Sequence, residues 1–355
     1  MQSPTKTRAG IIGLALTFFL VLQLLSNYPQ AVEKYYTNGI YPILTLVVSK
    51  ITSQLPFSIT EFLLWTVLLI GVPYTIRRIG QKRMQLGPLI LNLLSISAII
   101  YIWFYLFWGI NYLRQPLKSK LDLENVQLEI DAFDSTFVQI IRQGNELNLK
   151  YSIQKIEHIN KDIDSSYDEI LSQLGLKKIP RNQSTKQFVG NWLLNMTTTS
   201  GFFSPLFHEI HYNRDMLIFE LPFVLAHEKA HQMGYTSEAE ANFLAYLVCT
   251  NAREPLVRYS GYFSLLGYFF RSLQNDKSRR DLFASLIDEG VKLDIQAVRE
   301  RWRSHEGLIS KFSSKSYDLY LKANRVREGI QNYSRVIDLV IRYYGKTNHA
   351  VAAAK

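Results

Sequence analysis

"MQLGPLILNLLSISAIIYIWFYLFWGINYL", residues 84–113, runs for 30 residues without an Asp, Glu, Lys or Arg. A bilayer core of about 30 Å is crossed by about 20 helical residues, so this run predicts a spanning helix over about residues 87–110. Two further runs read the same way. "GIIGLALTFFLVLQLL" (Gly10–Leu25) lies in an uncharged stretch between Arg8 and Glu33. "FLLWTVLLIGVPYTI" (Phe62–Ile76) is bounded by Glu61 and Arg77. They predict spans over about residues 9–28 and 56–76, the second leaving Glu61 near the interface. The alternative for the first is a cleaved signal peptide, but no small-x-small cleavage site follows it. The expected organisation is a three-helix transmembrane region over residues 1–113 and a second domain over 114–355.

Charge gives an orientation. The chain has 355 residues, Lys+Arg 40 against Asp+Glu 30 and a net charge of +10. Such an excess suits an anionic partner, either nucleic acid or a lipid surface. Its distribution separates the two. Lys6 and Arg8 precede the first span, and "RRIGQKR" (Arg77–Arg83) follows the second. The intervening loop holds only Glu33, Lys34 and Lys50 near its ends. The positive-inside rule puts the N-terminus and the basic loop in the cytoplasm and everything after about Arg114 outside it. Topology and lipid-surface charge then account for much of the excess, so the bilayer is the expected partner and nucleic acid is not. The one cysteine, Cys249, excludes an intramolecular disulfide and a cysteine-based zinc site. Within "FLAYLVC" it reads as a small buried hydrophobe, which leaves the compartment unsettled.

Beyond Arg114 the pattern is mainly helical. "STFVQIIRQGNELN" (Ser135–Asn148) and "IQKIEHINKDIDSSYDEILSQLG" (Ile153–Gly175) place apolar residues at amphipathic-helix spacing. "LKKIPRNQSTK" (Leu176–Lys186) reads as a loop. "FVGNWLLNMTTTSGFFSPLFHEIHYN" (Phe188–Asn213) is less periodic and suits a short strand or hairpin. After residue 236 the helical pattern returns almost to the end. No internal repeat or low-complexity segment is evident, and the tail is expected to fray. Three Asn-x-Ser/Thr sequons, at Asn182, Asn195 and Asn332, carry meaning only in a glycosylating cell.

The chemistry is concentrated in "LAHEKAHQMGYTSEAEAN" (Leu225–Asn242). Pro222 suits the first turn of a helix, and Gly234 suits the position just past its end. His227 and His231 are then one turn apart on one face, where two imidazoles can bind one zinc ion. Glu228 lies about 100° round the helix, outside the ligand set but able to reach a water at the metal, which is the HExxH arrangement. Thr236 or Ser237 can cap a second helix, so Glu238 falls in its first turn, facing back across a tight hairpin. Glu238 is the expected third ligand and Glu240 its rival, with favourable charge at a helix N-terminus as the alternative role for Glu240. Asn242, a turn after Glu238, can hydrogen-bond a ligand histidine. The competing reading, a solvated polar face, fits poorly beside Phe223, Val224, Leu225, Ala226 and Ala230, because a buried histidine pair next to a glutamate needs a partner.

"HEKAHQMGYTSEAEANFLAYLVC" resembles the HExxH-Glu module of the gluzincin metallopeptidases. Its "EAEAN" (Glu238–Asn242) is similar to the third-ligand element of the membrane-bound Ste24/HtpX-like peptidases, which implies that Glu238 is a ligand. Most of the chain resembles an uncharacterised bacterial membrane family. That family has three N-terminal spans, then "FWGINYLR", then "SP…E…N", then this module, and a closing "YLK…G…SY" region. Two departures stand out. Gln331 and Asn332 precede Tyr333 where a serine before the tyrosine is expected, and "HEIH" (His208–His211) is foreign to the pattern. The resemblance implies zinc hydrolase chemistry and names no substrate.

The other histidines carry less. On a strand, His208 and His211 would face opposite sides, which argues against a second metal site, though His211 could line the cleft. His158 and His305 sit on polar helix faces. Tyr333 or Arg335 could stabilise an oxyanion. The expectation is thus a mainly α protein: three N-terminal membrane helices and a mostly helical gluzincin-like zinc domain with a small strand or hairpin element. It acts as a membrane-anchored metallopeptidase on a peptide or protein outside the cytoplasm. His227, His231 and Glu238 hold Zn²⁺, and Glu228 serves as general base. The rivals are a membrane sensor or scaffold that keeps the zinc without catalysis, and a zinc hydrolase acting on cell-envelope amides.

Overall fold

The computed structural model describes residues 4–81, 86–150, 152–180, 185–324 and 333–353. It is mostly helical, with one three-stranded sheet, and it divides into two compact units. The first comprises residues up to Gln115, together with Ser204–Glu209 and a few residues around Ile179. The second comprises most of the chain from Pro116 onward.

In the first unit the helices are α1 (Pro4–Leu25), α2 (Pro29–Ala31), α3 (Tyr41–Ser53), α4 (Ile59–Thr66), α5 (Val72–Gly80) and α6 (Leu86–Phe107). Three stretches, Lys6–Leu25, Ile59–Gly80 and Gly87–Phe107, are long and apolar enough to cross a membrane. The middle one joins α4 to α5 through a wide π turn, Val67–Gly71. Pro73 explains it: a proline has no N–H to donate and its ring crowds the carbonyl four residues back, here Leu69, so the helix widens rather than breaks. Apolar side chains along these helices stay uncovered by protein, Leu24 at 65% and Leu69 at 69% exposure among them. A soluble domain does not leave so continuous an apolar surface open.

The stretch between the first two spans, expected as a loop, is helical as well. A π turn over Val32–Ile40 leads into α3, again just ahead of a proline, Pro42. Helix α3 is inside-out: it buries Thr45, Ser49 and Thr52 and exposes Ile43, Leu46, Val47 and Ile51. Lipid is the solvent that suits such a face.

Buried polar pairs tie this unit together. The Arg114 guanidinium makes two bonds to the Glu33 carboxylate, at 3.0 and 3.1 Å, and Thr37 Oγ1 donates to Asn111 at 3.0 Å. Asn111 and Arg114 belong to the "FWGINYLR" stretch and make these buried contacts within the unit. Glu209 is fully buried and closes the N-terminus of α4, accepting from Ile59 N (3.0 Å), Thr60 N (2.9 Å), Ser58 Oγ (3.0 Å) and Thr60 Oγ1 (2.7 Å). Exposed amides and the helix dipole make this end favourable for an anion.

The second unit contains α7 (Leu117–Lys120), α8 (Ala132–Asn148), α9 (Ile156–Gln173), α10 (Asn191–Met196), α11 (Leu221–Gln232), α12 (Glu238–Thr250), α13 (Pro255–Ser272), α14 (Lys277–Ser285), α15 (Glu289–Arg303), α16 (Leu308–Ala323) and α17 (Tyr333–Ala353). Helix α12 is its centre. Every residue from Ala241 to Cys249 is buried, the mark of a helix covered on all sides. Cys249 lies there as the expected small hydrophobe, its thiol pushed up by burial. Helix α8 buries Phe137, Ile140, Ile141 and Leu147 along one stripe, and Phe137 stacks on Phe269 of α13 with centroids 4.7 Å apart.

The sheet has β1 (Thr185–Gln187), β2 (Gly201–Ser204) and β3 (Glu209–Tyr212), in the order β1-β3-β2. Strands β1 and β3 are parallel, with Lys186 opposite His211. The hairpin expected from Phe188–Asn213 is β2–β3. Strand β1 arises from the end of the stretch read as a loop, three residues being too few to show a period.

Candidate metal centre

The centre is built by one helix, one turn and the start of the next helix. Helix α11 opens with Pro222 in its first turn, and the Phe223 amide, which has no partner in its own helix, donates to Ser260 Oγ at 2.9 Å. Its last turn closes on Gly234, whose φ of +82° suits glycine and few other residues. There the Gly234 and Tyr235 amides return to the His231 and Ala230 carbonyls at 2.9 and 3.1 Å. Ser237, extended at φ −76° and ψ 125°, then starts α12, so Glu238 is its first residue.

This path brings His227, His231 and Glu238 together, with one ligand atom of each within 4.8 Å of the others. The two Nε2 atoms are 3.0 Å apart. Glu238 turns one oxygen to each ring: Oε2 lies 3.3 Å from His227 Nε2 and Oε1 lies 3.4 Å from His231 Nε2. Two donors held at about 2.0–2.1 Å by one tetrahedral ion stand about 3.3–3.4 Å apart, so these separations fit a small divalent cation. The donor set fits too. His231 Nδ1 is 2.7 Å from the Tyr235 carbonyl, which can only accept. Nδ1 therefore carries a proton, and once a metal displaces the proton on Nε2 that nitrogen's lone pair is the one directed at the cluster.

Electrostatics mark the place as one that wants a cation. Burial depresses the basicity of His231, but the Glu238 carboxylate and its hydrogen bond, then Glu228 and the Tyr235 carbonyl, outweigh it and raise the pKa to about 9. Glu238 is opposed by burial yet held well below the usual carboxylate range by the two histidines.

Glu228 sits beside the cluster and outside it. It is 5% exposed, and burial raises its pKa above the usual carboxylate range, only partly offset by His227 and His231. Its carboxylate accepts the backbone N–H of Phe203 on β2. Gly201, two residues earlier, lets the strand come this close: a Cβ there would stand 2.7 Å from Val224 Cγ1 and 2.9 Å from the His211 carbonyl.

Glu240, the rival to Glu238, faces elsewhere and accepts the Leu117 amide at 2.7 Å, at the start of α7. Asn242 is buried one turn along α12, while for His231 the bond expected of it is made by the Tyr235 carbonyl. His211 does not open onto a cleft. It is fully buried, stacked on Phe202 at 4.5 Å and edge-on to Phe188. His208 falls in the turn, at φ +53°, beside Tyr41, and burial lowers its pKa to about 4. His158 is exposed and His305 half-buried. Tyr333 begins α17 with its side chain outside the described residues, and Arg335 is exposed.

The sequence does not point to Tyr317 on α16. Its hydroxyl donates to Glu238 Oε1, the oxygen that faces His231. Tyr317 and Glu238 are 79 residues apart, and no local pattern joins them.

These features describe a mostly helical membrane protein, with, among the described residues, three membrane-length helices and a His-His-Glu cluster able to hold a metal ion. The chain belongs to the family described as "Protein of unknown function (DUF3810)", whose model matches residues 36–341. No curated protein and no solved structure shows a significant match to it.

Proposed function

We propose that this protein is a membrane-anchored zinc metallopeptidase of the gluzincin type, with its second unit outside the cytoplasm. The observation that carries the reading is Glu228: a buried carboxylate beside the cluster, raised in pKa and aimed by the Phe203 amide. A purely structural metal site has no need of such a group. His227, His231 and Glu238 would hold the ion. Zinc, when bound, supplies a Lewis acid that polarises the substrate carbonyl and acidifies water. Glu228 takes a proton from the attacking water as its oxygen bonds to the carbonyl carbon. It passes that proton to the amine nitrogen as the C–N bond breaks. Burial that raises the pKa of Glu228 makes its carboxylate a better proton acceptor than an exposed one. A peptide substrate is favoured because β2 is an edge strand, and an extended chain can be received along such an edge beside the base. The basic residues around the first two spans support the extracytoplasmic orientation.

The test is Glu228→Gln in the full chain, with metal content and hydrolysis of membrane-protein and peptide pools both measured. The expected result is unchanged metal and a rate lower by about 10²–10⁴-fold, the usual worth of general-base help. Wild-type behaviour of Glu228→Gln alongside a defective His227→Ala would replace catalysis with a metal-dependent sensor or scaffold. Turnover confined to envelope amides would instead make it an amidohydrolase.

A further inference from the structure

Helix α16 meets Glu238 with one side and exposes much of the other. Only Ser310 and Leu321 along it are buried. Leu308 (86% exposed), Phe312 (73%), Leu319 (60%), Ile309 (48%) and Tyr320 (36%) are open. At 100° per residue these five fall within about 120° of one another, on the face away from Ser310 and Leu321. Lys311, Lys315 and Lys322 line one margin of that stripe, within about 40° of each other. Lys322 also reaches Asp318 at 2.6 Å, an exposed i,i+4 pair of small worth. An apolar stripe of Leu, Ile, Phe and Tyr with a lysine margin is the pattern of a helix that lies in the headgroup layer, rings and branches down and ammonium groups among the phosphates.

We propose that the outer face of α16 docks on an anionic lipid surface. Two observations select lipid over a second protein. Three membrane-length helices hold the chain at a bilayer, so lipid is always within reach. The charges nearest the stripe are the three lysines, which complement anionic headgroups, with Asp318 set further round the helix, whereas a self-associating face would bring those lysines together. The proposal is independent of the catalytic reading and needs no metal. It adds a consequence to that reading: the helix that meets the lipid is the one that places Tyr317 on Glu238.

The test uses the full chain in vesicles. With Cys249→Ala removing the one native thiol, nitroxides are placed by Phe312→Cys and Leu319→Cys on the stripe and by Ser314→Cys away from it. Oxygen and a water-soluble nickel chelate report depth. In vesicles containing phosphatidylglycerol the two stripe labels should be severalfold more accessible to oxygen than to nickel, and the Ser314 label the reverse. Each basic residue adds about fivefold to partition on an anionic surface, so K311Q/K315Q/K322Q should lower occupancy of the docked state on the order of a hundredfold. Stripe labels as open to nickel as the Ser314 label would overturn the proposal. Equal immersion in purely zwitterionic vesicles would overturn it too. Protection that rises with protein concentration in detergent would show a second copy to be the occupant.

Discussion

Tyr317 donates to a carboxylate that already faces two histidines, so its hydroxyl fixes which oxygen of Glu238 each ring meets. Partners of this kind are typically worth about 10–100-fold in metal affinity. Tyr317→Phe should therefore weaken zinc by that factor, read by competition with a chromophoric chelator, while the helical signal in circular dichroism stays unchanged. Equal affinity would show the hydroxyl to be a bystander. Much of the centre at this scale is local, and local relations can be read from letters. The i,i+4 histidines, the adjacent glutamate and the glycine stop all lie on one turn or its end, and only a short turn separates Glu238 from them. The remaining parts leave no such trace. The Tyr235 carbonyl and the Phe203 amide are backbone groups that any residue would supply. Tyr317 reaches Glu238 only through the packing of α16. His211 shows the opposite error: a histidine on a strand near the site suggested a cleft, but two phenylalanines enclose it.

At the scale of the element, α11 must be stiff for two side chains to converge on one point. It is pinned from behind. Lys229 Nζ lies 2.9 Å from Asp164 Oδ1 on α9, with side chains 0% and 11% exposed, and Tyr167 donates to the Ala226 carbonyl at 2.5 Å. Removing one member of a buried ion pair strands the other charge, at a cost of about 3–5 kcal/mol. Lys229→Met should cost that much stability, measured by denaturation in detergent, and adding Asp164→Asn should restore part of it because no bare carboxylate remains. Additive losses would contradict the pairing. The spans were legible because lipid imposes both length and apolarity, and α8, α9 and α12 because burial imposes a period or none. Helix α3 was hidden because its pattern is inverted: the side it turns to protein is the polar one, and Pro42 and the flanking charges resemble a loop. Strand β1 was hidden by its brevity.

For the molecule as a whole, the basic residues around the first two spans predict the side on which the second unit works. A phosphatase reporter fused after residue 120 should be active, and the same reporter fused at residue 81 silent, because only the first lies outside the cytoplasm. The opposite pair of results would move the proposed chemistry to the cytoplasm. The proposed chemistry depends above all on a single ion at the centre, and metal stoichiometry by mass spectrometry on purified full-length protein counts it. One zinc per chain is predicted for the wild type, for Glu228→Gln and for Glu240→Ala, and almost none for His227→Ala, His231→Ala and Glu238→Ala, because two remaining ligands hold an ion weakly. A wild-type chain that takes up no divalent metal, or a Glu238→Ala chain that keeps its full complement, would contradict it.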